Sequence, residues 1–261
     1  MYYLRIYLKL TAQYIKTRMH YRADFIISTF TLLFQNMIGL FSTWIIFSSI
    51  GAIEGWAFYQ MAFLYSFAML AAIPSQIFLD HLWWLSNDVR SGDFIKYYFR
   101  PINMLFYYLS EIFDLKGLGT LAINVAIMVI SIQKLGLQLG WRQILLLVCL
   151  IIGAAIVLAA LYVASASLCF WFISAQDALD FVSNFRDLAR FPLNIYNKAL
   201  KFVFTFILPI GFIAYYPARM ILWPETASPI LYFMPLVGVG LFVLAYQVWK
   251  KGVNSYSGTG S

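Results

Sequence analysis

The sequence predicts an all-α fold: a polytopic membrane protein with six transmembrane helices, an N-terminal amphipathic helix in the interface and both termini in the cytoplasm. Hydrophobic residues make up 62% of the chain and charged residues 11%, whereas about a quarter of the residues in a soluble domain are charged. Fourteen of the eighteen Lys and Arg residues fall into four short segments, which share one side when the apolar runs are threaded alternately through a bilayer. Because basic loops resist translocation, that side is predicted to be cytoplasmic, and the number of spans is even.

Six apolar segments are long enough to cross the hydrocarbon core, which takes about 20 helical residues. No extended polar stretch remains from which a second domain could form, so residues 1–261 are predicted to be a single transmembrane domain. The predicted spans are residues 25–47, 56–79, 104–132, 143–172, 202–216 and 230–249.

The first element, residues 1–22, is predicted to be a helix that lies along the membrane surface. Its polar residues recur at helical spacing on one narrow stripe, while Tyr, Leu and Ile cover the rest of the surface. A basic stripe beside a broad apolar face is typical of an interfacial helix. The residues of the stripe are Arg5, Lys9, Gln13 and Lys16.

The connection between the second and third spans, residues 80–103, is predicted to form a short helix, a turn and a restarted helix. Asp88, Arg90 and Asp93 supply charge around Gly92, where a positive φ is tolerated. Arg100 and Pro101 close the segment, because the residue before a proline avoids the helical conformation. An ordinary charged loop is the alternative interpretation.

The third span is longer than the bilayer core and begins with Glu111, Asp114 and Lys116. Ionisable groups within a membrane are candidates for a functional role. We expect these three to lie at the cytoplasmic headgroups, with residues 117–132 as the embedded part. The alternative is an ion or proton relay that uses Glu111 and Asp114.

The fifth span is interrupted by prolines, with Pro209 inside it and Pro217 just beyond. Each proline removes an amide donor and obstructs the preceding helical turn. A broken or re-entrant segment is therefore predicted at residues 215–229, on the outer side. Before this span, acidic and basic residues alternate within residues 173–201, which predicts a short solvated helix with local ion pairs. A contact surface is the alternative.

Polar side chains within the spans include Asn36, Gln60 and Tyr65, which could line a substrate path or could simply bond neighbouring helices. The chain contains no phosphate-binding loop, no nucleophile motif and no cluster of metal ligands. The net charge of +7 is explained by topology and anionic lipid rather than by nucleic acid. We therefore expect no catalytic residue, metal or cofactor on this chain.

Four sequence strings, in the right order, resemble the membrane subunit of ATP-binding cassette transporters of the ABC type-2 exporter family. The first is V-R-S-G-D-F-I-K-Y-Y-F-R-P-I-N at residues 89–103, which resembles the family's first cytoplasmic loop. The next two, R-F-P-L-N-I-Y (190–196) and I-L-P-I-G-F-I-A-Y-Y-P-A (207–218), resemble the start and body of its fifth span. The tail Y-S-G-T-G-S (256–261) is similar to the ending found in one branch.

The resemblance implies a permease in the bacterial inner membrane that exports an amphipathic, drug-like or lipid-like substrate. It implies two copies of a separate ATPase subunit that binds ATP and Mg²⁺, and a second permease chain, either identical or a sister subunit. Residues 1–22 would be the connecting helix, residues 80–103 would carry the coupling helix, and Pro209 and Pro217 would belong to an outer gate. The residues that match the coupling motif are Asp88, Arg90, Gly92, Asp93, Arg100 and Pro101.

Two other functions remain open at this stage. One is a secondary transporter that works without an ATPase and is driven by ions or protons through Glu111 and Asp114. The other is a membrane-embedded enzyme that modifies lipids, for which the sequence offers no polar catalytic cluster. The resemblance implies no role for Lys116 or the two acidic residues beside it.

Overall fold

The computed structural model describes residues 2–20, 22–172, 176–226 and 229–256, and most of these residues are helical. Within them, one small antiparallel sheet pairs β1 (Ala52–Ile53) with β2 (Trp56–Ala57). The α-helices are α1 (Tyr2–His20), α2 (Arg22–Ile50), α3 (Phe58–Phe78), α4 (Leu85–Ser91), α5 (Met104–Ser110), α6 (Lys116–Lys134), α7 (Trp141–Ser167), α8 (Gln176–Leu188), α9 (Lys198–Phe202), α10 (Tyr215–Leu222) and α11 (Met234–Ser255).

Five helical stretches of the described chain are long and apolar enough to cross a membrane. A sixth is added if a bent pair of helices, Lys198–Ile207 and Ile210–Leu222, is one span. The structure therefore confirms an all-α polytopic membrane protein with five or six spans. The five unbent stretches are Phe25–Ile50, Phe58–Phe78, Lys116–Lys134, Trp141–Phe170 and Leu231–Ser255.

Helix α3 is the centre of the bundle. Every side chain from residue 61 to residue 73 is buried, and α2, α6, α7 and α10 pack around it. The helix carries no charged residue, so that it can be enclosed on all sides without leaving a charge unpaired. In contrast, α2 leaves most of its large apolar side chains exposed, which suits a helix that faces lipid or another chain.

Helices α7 and α11 form the most extensive helix pair among the described elements. Their backbones approach closely at two glycines. A Cβ atom at Gly238 would lie 2.9 Å from the carbonyl oxygen of Gly153, and one at Gly153 would lie 3.0 Å from Cα of Pro235. Small residues at such a crossing permit the close van der Waals packing that holds membrane helices together.

The third apolar segment differs from the continuous helix predicted over residues 104–132. Helix α5 ends at Ser110, residues 111–115 are not in regular helix, and α6 begins at Lys116. The backbone N–H of Asp114 donates to the carbonyl oxygen of Ile77 at 3.1 Å, so this peptide bonds to α3 instead of to its own helix. The expectation that the embedded part starts near residue 117 agrees with the start of α6.

The proline-rich segment is interrupted, as its prolines predict, and its bend lies at Pro209. The predicted interruption at residues 215–229 contains α10, which runs unbroken from Tyr215 to Leu222, and Pro217 lies in its first turn, where no amide donor is lost. The chain instead turns by 75° at the break between Ile207 and Ile210, which contains Pro209. A π-helical stretch, Val203–Ile207, comes directly before that break.

Candidate functional site

Residues 80–103 form a compact loop at one end of the bundle. A 3-10 turn (Asp80–Trp84) leads into α4, Gly92 ends that helix with φ of 84°, and a second 3-10 turn covers Asp93–Tyr97. The predicted helix, turn and restart are therefore present, and the left-handed backbone at Gly92 is the reason that glycine suits this position. The same end also carries residues 168–170 and 249–256, and we call it the basic end.

An aromatic cluster holds the loop against the rest of the bundle. Phe94 is fully buried, and it packs edge-on against Phe170, after α7, and Trp249, on α11. The hydroxyl of Tyr98 donates to the carbonyl oxygen of Val253. The loop is thus attached to α7 and α11, the two helices that are packed most closely on each other.

A second set of contacts, polar and largely buried, lies beneath α4. The hydroxyl of Tyr108 donates to Oδ2 of Asp88 at 2.9 Å, and the imidazole of His81 stacks on the Tyr108 ring with centroids 4.0 Å apart. Nδ1 of His81 lies 2.7 Å from the carbonyl oxygen of Tyr108, so it is the nitrogen that donates. The hydroxyl of Tyr97 donates to Oε2 of Glu111 at 2.6 Å.

Burial fixes the protonation state of this polar set. It lowers the pKa of the His81 imidazole and is the main cause of the raised pKa of the Tyr97 and Tyr108 hydroxyls. At neutral pH the imidazole is therefore neutral, and both hydroxyls keep the protons that they donate to the two carboxylates. Such a network of partnered groups holds α4, the second 3-10 turn and α5 in one arrangement.

The outer surface of the loop is charged, with two apolar side chains among the charges. Arg90, Asp93 and Lys96 are exposed, as are Ile95 and Phe99, whose side chain is 79% exposed. Of the six residues that match the coupling motif, Arg90, Asp93, Arg100 and Pro101 are exposed. The side chain of Asp88 points inward to Tyr108, and Gly92 forms the turn. These two residues therefore shape the loop but do not belong to its exposed surface.

Helix α1 packs across α5 through tyrosine side chains. The ring of Tyr3 lies 5.1 Å from that of Phe106, and Tyr7 lies 6.4 Å from Phe113. The predicted polar stripe faces away from these contacts, and all four of its residues are exposed: Arg5, Lys9, Gln13 and Lys16. This arrangement suits a surface helix with an apolar inner face and a basic outer face.

Two of the three side chains predicted for a substrate path lie together. The hydroxyl of Tyr65 donates to the backbone oxygen of Asn36 at 2.9 Å, and both residues line a cavity of about 310 Å³ between α2 and α3. Gln60 lies elsewhere, because its side chain accepts a hydrogen bond from the N–H of Ala57 and caps the start of α3. Helix capping is thus the role that the structure shows for Gln60.

The segment after α7 contributes three charged residues to this cavity that sequence reasoning did not place there: Arg186, Asp187 and Arg190. The predicted short helix is present as α8 and carries ion pairs, but it is not simply solvated. The guanidinium of Arg190 lies 5.6 Å from the ring centroid of Tyr65, and Arg186 donates to the hydroxyl of Tyr162 on α7. The alternating charges were visible in the sequence, whereas these partners are distant in the chain.

The opposite end of the bundle is closed by aromatic contacts around the hairpin of β1 and β2. Trp56 is buried and packs edge-on against Trp223, with centroids 4.9 Å apart, and it also lies near Tyr215 on α10. Pro209 and Pro217, the two residues predicted for an outer gate, are both buried in this region of the chain. Helix α10, the second arm of the bent segment, is therefore packed against α3 and the hairpin, whereas Phe206 and Ile207 on the first arm are exposed.

The ionisable residues near the third span lie at the break between α5 and α6. Glu111 is bonded to Tyr97 and lies 3.7 Å from Nζ of Lys96, while Asp114 and Lys116 form an ion pair at 3.1 Å. All of these contacts are at the basic end, at or before the first residue of α6, and they do not form a chain of groups along the spans. Among the described residues no His, Cys, Asp or Glu cluster is suited to a metal ion.

These features define a class: an integral membrane protein of α-helices with a closely packed, charged loop at one end and a polar cavity beside its central helix. The family model described as ABC-2 family transporter protein matches residues 17–260, and the chain belongs to that family. No curated protein and no solved structure matches the chain.

Membership confirms the resemblance that the sequence strings indicated, although residues 257–261 of the tail string lie outside the described residues. The family consists of membrane components of ABC transporters. The chain is therefore a transport subunit rather than an enzyme by itself, and its family implies an ABC ATPase subunit as partner.

Proposed function

We propose that this chain is the permease of an ATP-driven exporter in a bacterial inner membrane, and that residues 80–103 receive the force from the ATPase. The observation that supports this proposal most directly is that the loop has an exposed charged surface and a buried inner surface. Its exposed surface carries Arg90, Asp93 and Phe99, while its inner surface is fixed to α7 and α11 through Phe94. A push on such a loop is transmitted to the spans instead of being absorbed by the loop.

In this proposal both termini and the basic end face the cytoplasm, six spans cross the membrane, and the bent segment closes the outer side near Pro209 and Pro217. Two ATPase subunits hold ATP and Mg²⁺, and a second permease chain completes the transporter. The exposed apolar face of α2 supports a partner of this kind, because it has few contacts within its own chain. The substrate is amphipathic and passes along the cavity beside Asn36 and Tyr65.

The two other candidate functions receive no support from the site. Glu111 and Asp114 form ion pairs with neighbouring lysines at the basic end. An ion relay would instead need ionisable groups within the membrane-spanning part. Among the described residues, no group of His, Cys, Asp or Glu side chains is arranged to hold a metal ion for lipid chemistry.

The test is charge reversal on the exposed surface of the loop. We expect the double variant Arg90→Glu with Asp93→Lys to insert normally and to lower transport per ATP hydrolysed on the order of tenfold, since that factor corresponds to about 1.4 kcal/mol of lost interaction. Lys134→Glu, at the far end of α6, is the matched control. Export of substrate and release of phosphate are measured together in proteoliposomes that contain the complete transporter. Unchanged coupling in the double variant would contradict the assignment of the loop.

A further inference from the structure

The cavity between α2, α3 and the end of α8 is built from charged and polar groups, which is unusual beside a membrane-spanning helix. It runs along α3 from Gln76, near the basic end, to Tyr65, a distance of about 16 Å at 1.5 Å per residue. The side chains that carry the argument are Asn36, Tyr65, Gln76, Arg186, Asp187 and Arg190. Polar groups at this depth are costly unless they serve packing or a ligand.

The charges that line the cavity do not cancel. Both guanidinium groups bind the same carboxylate oxygen, since Oδ1 of Asp187 accepts from Nη2 of Arg186 at 2.9 Å and from Nη2 of Arg190 at 2.8 Å. Two cations and one anion leave one positive charge. Arg186 makes two further hydrogen bonds, from Nη1 to the hydroxyl of Tyr162 and from Nε to Asp187, whereas Arg190 bonds to Asp187 through Nη2.

Arg190 also has a donor that is not used. Its Nε is buried and has no hydrogen-bond partner within the described part of the chain, and the same holds for Oε1 of Gln76. Buried polar atoms in proteins are almost always partnered, because leaving one unsatisfied costs free energy. The Nε edge of an arginine presents a donor in the geometry that suits a carboxylate or phosphate oxygen, and an amide side chain can turn its NH₂ group to the same ligand.

We propose that this cavity binds the acidic head group of the transported amphiphile, a carboxylate or phosphate ester with a single negative charge. The inference rests on the proposed transport function and names the substrate class for it. Arg190 binds the head group through Nε, held in place by Asp187 and by the Tyr65 ring beneath its guanidinium. Gln76 supplies a second hydrogen bond, and Leu32, Met69 and Ala72 contact the adjoining apolar part. A cationic amphiphile would be repelled by the net positive charge of the cavity.

The experiment measures binding to the purified full chain in nanodiscs of phosphatidylcholine, without ATPase. Three fluorescent probes share one chain and differ only in the head: dansyl-undecanoate, dansyl-undecanol and dansyl-undecyl-trimethylammonium. We expect the anionic probe to bind at least about tenfold more tightly than the neutral one, because a charge-assisted hydrogen bond contributes about that factor or more. The cationic probe is expected to bind most weakly.

Variants assign the selectivity to Arg190. Arg190→Gln is expected to lower the affinity for the anionic probe about tenfold or more and to leave the affinity for the neutral probe unchanged. The unchanged binding of the neutral probe also shows that the variant is folded. Gln76→Leu is expected to give a smaller loss in the same direction. Arg142→Gln, an exposed arginine at the start of α7, is the matched control. Equal affinity for the three probes, or equal binding by the Arg190 and Arg142 variants, would overturn the proposal.

Competition identifies the source of the head group. Displacement of the anionic probe by phosphatidylglycerol in the nanodisc, but not by inorganic phosphate in solution, assigns the cavity to a membrane lipid, and the reverse result assigns it to a soluble anion. Because no ATPase is present, failure of this binding test leaves the coupling proposal intact. Failure of the charge-reversal test at the loop, likewise, does not alter a measured head-group preference.

Discussion

Replacing Phe94 by alanine tests whether the loop is anchored as the structure shows. The side chain is fully buried, and removing such a ring from a packed interior costs about 3–5 kcal/mol. For a chain of this size, 1 kcal/mol corresponds to about 2–4 °C in the unfolding temperature, so we expect Phe94→Ala to unfold about 6–20 °C lower than the natural chain. The rings that surround Phe94, with centroids at 5.1–6.0 Å, belong to Tyr97, Tyr98, Tyr108, Phe170, Trp249 and Tyr256.

The same loop provides a matched control five residues later. Phe99 is 79% exposed, so Phe99→Ala removes an identical group and is expected to change stability by no more than about 0.5 kcal/mol. Thermal unfolding of both variants in the same detergent, followed by the loss of monodisperse protein on a sizing column, gives the comparison. If the two unfold within about 2 °C of each other, the loop is not held by Phe94 and the proposed transmission of force to α7 and α11 fails with it.

Two further predictions concern the helix pair and the buried histidine. Gly238→Val is expected to destabilise the chain by about 1–3 kcal/mol through overpacking. Gly240→Val is the control and is expected to leave stability unchanged, because a Cβ atom there meets nothing within 4 Å. Equal melting temperatures of the two variants would contradict the close crossing of α7 and α11. Burial lowers the pKa of His81 in the folded chain. Just below the ordinary histidine pKa near 6.5, the unfolded chain therefore binds more protons than the folded chain. We expect the free energy of unfolding to fall as the pH is lowered from 7.5 to 5.5, by at most about 1.4 kcal/mol per pH unit. This loss is measured as the difference between the natural chain and His81→Gln, and parallel curves would contradict a lowered pKa of the imidazole in the folded chain.

The spans and the loop could be predicted from sequence because their signals are local. Twenty apolar residues in a row are sufficient to predict a helix such as α7, and Gly92 after α4 marks the turn by its conformational freedom alone. The helix α1 could also be predicted, since the spacing of Arg5 and Lys9 defines one face of a helix. In each case neighbouring residues hold all the information.

The remaining features depend on partners that are far apart in the chain. Tyr97 donates to Glu111, 14 residues later, just beyond the end of α5. Gln60 caps the start of α3 by accepting from the N–H of Ala57, and so it does not line the cavity. The contact of Arg190 with Tyr65 joins two segments that no periodicity connects. Charge spacing in that segment favoured a solvated helix, and only packing against α7 revealed that its arginines turn inward.

The attachment of the loop to α11 affects the order in which the nascent chain can fold. Tyr98 finds its acceptor, Val253, 155 residues later in the chain, which at about 5–20 residues per second is roughly 8–30 s of synthesis. Throughout that interval the loop has been synthesised, whereas α11, which carries Trp249 and Val253, has not. Until α11 has been synthesised, Phe94 lacks its contact with Trp249 and Tyr98 lacks its acceptor, so the packing of the loop is incomplete before that helix is made.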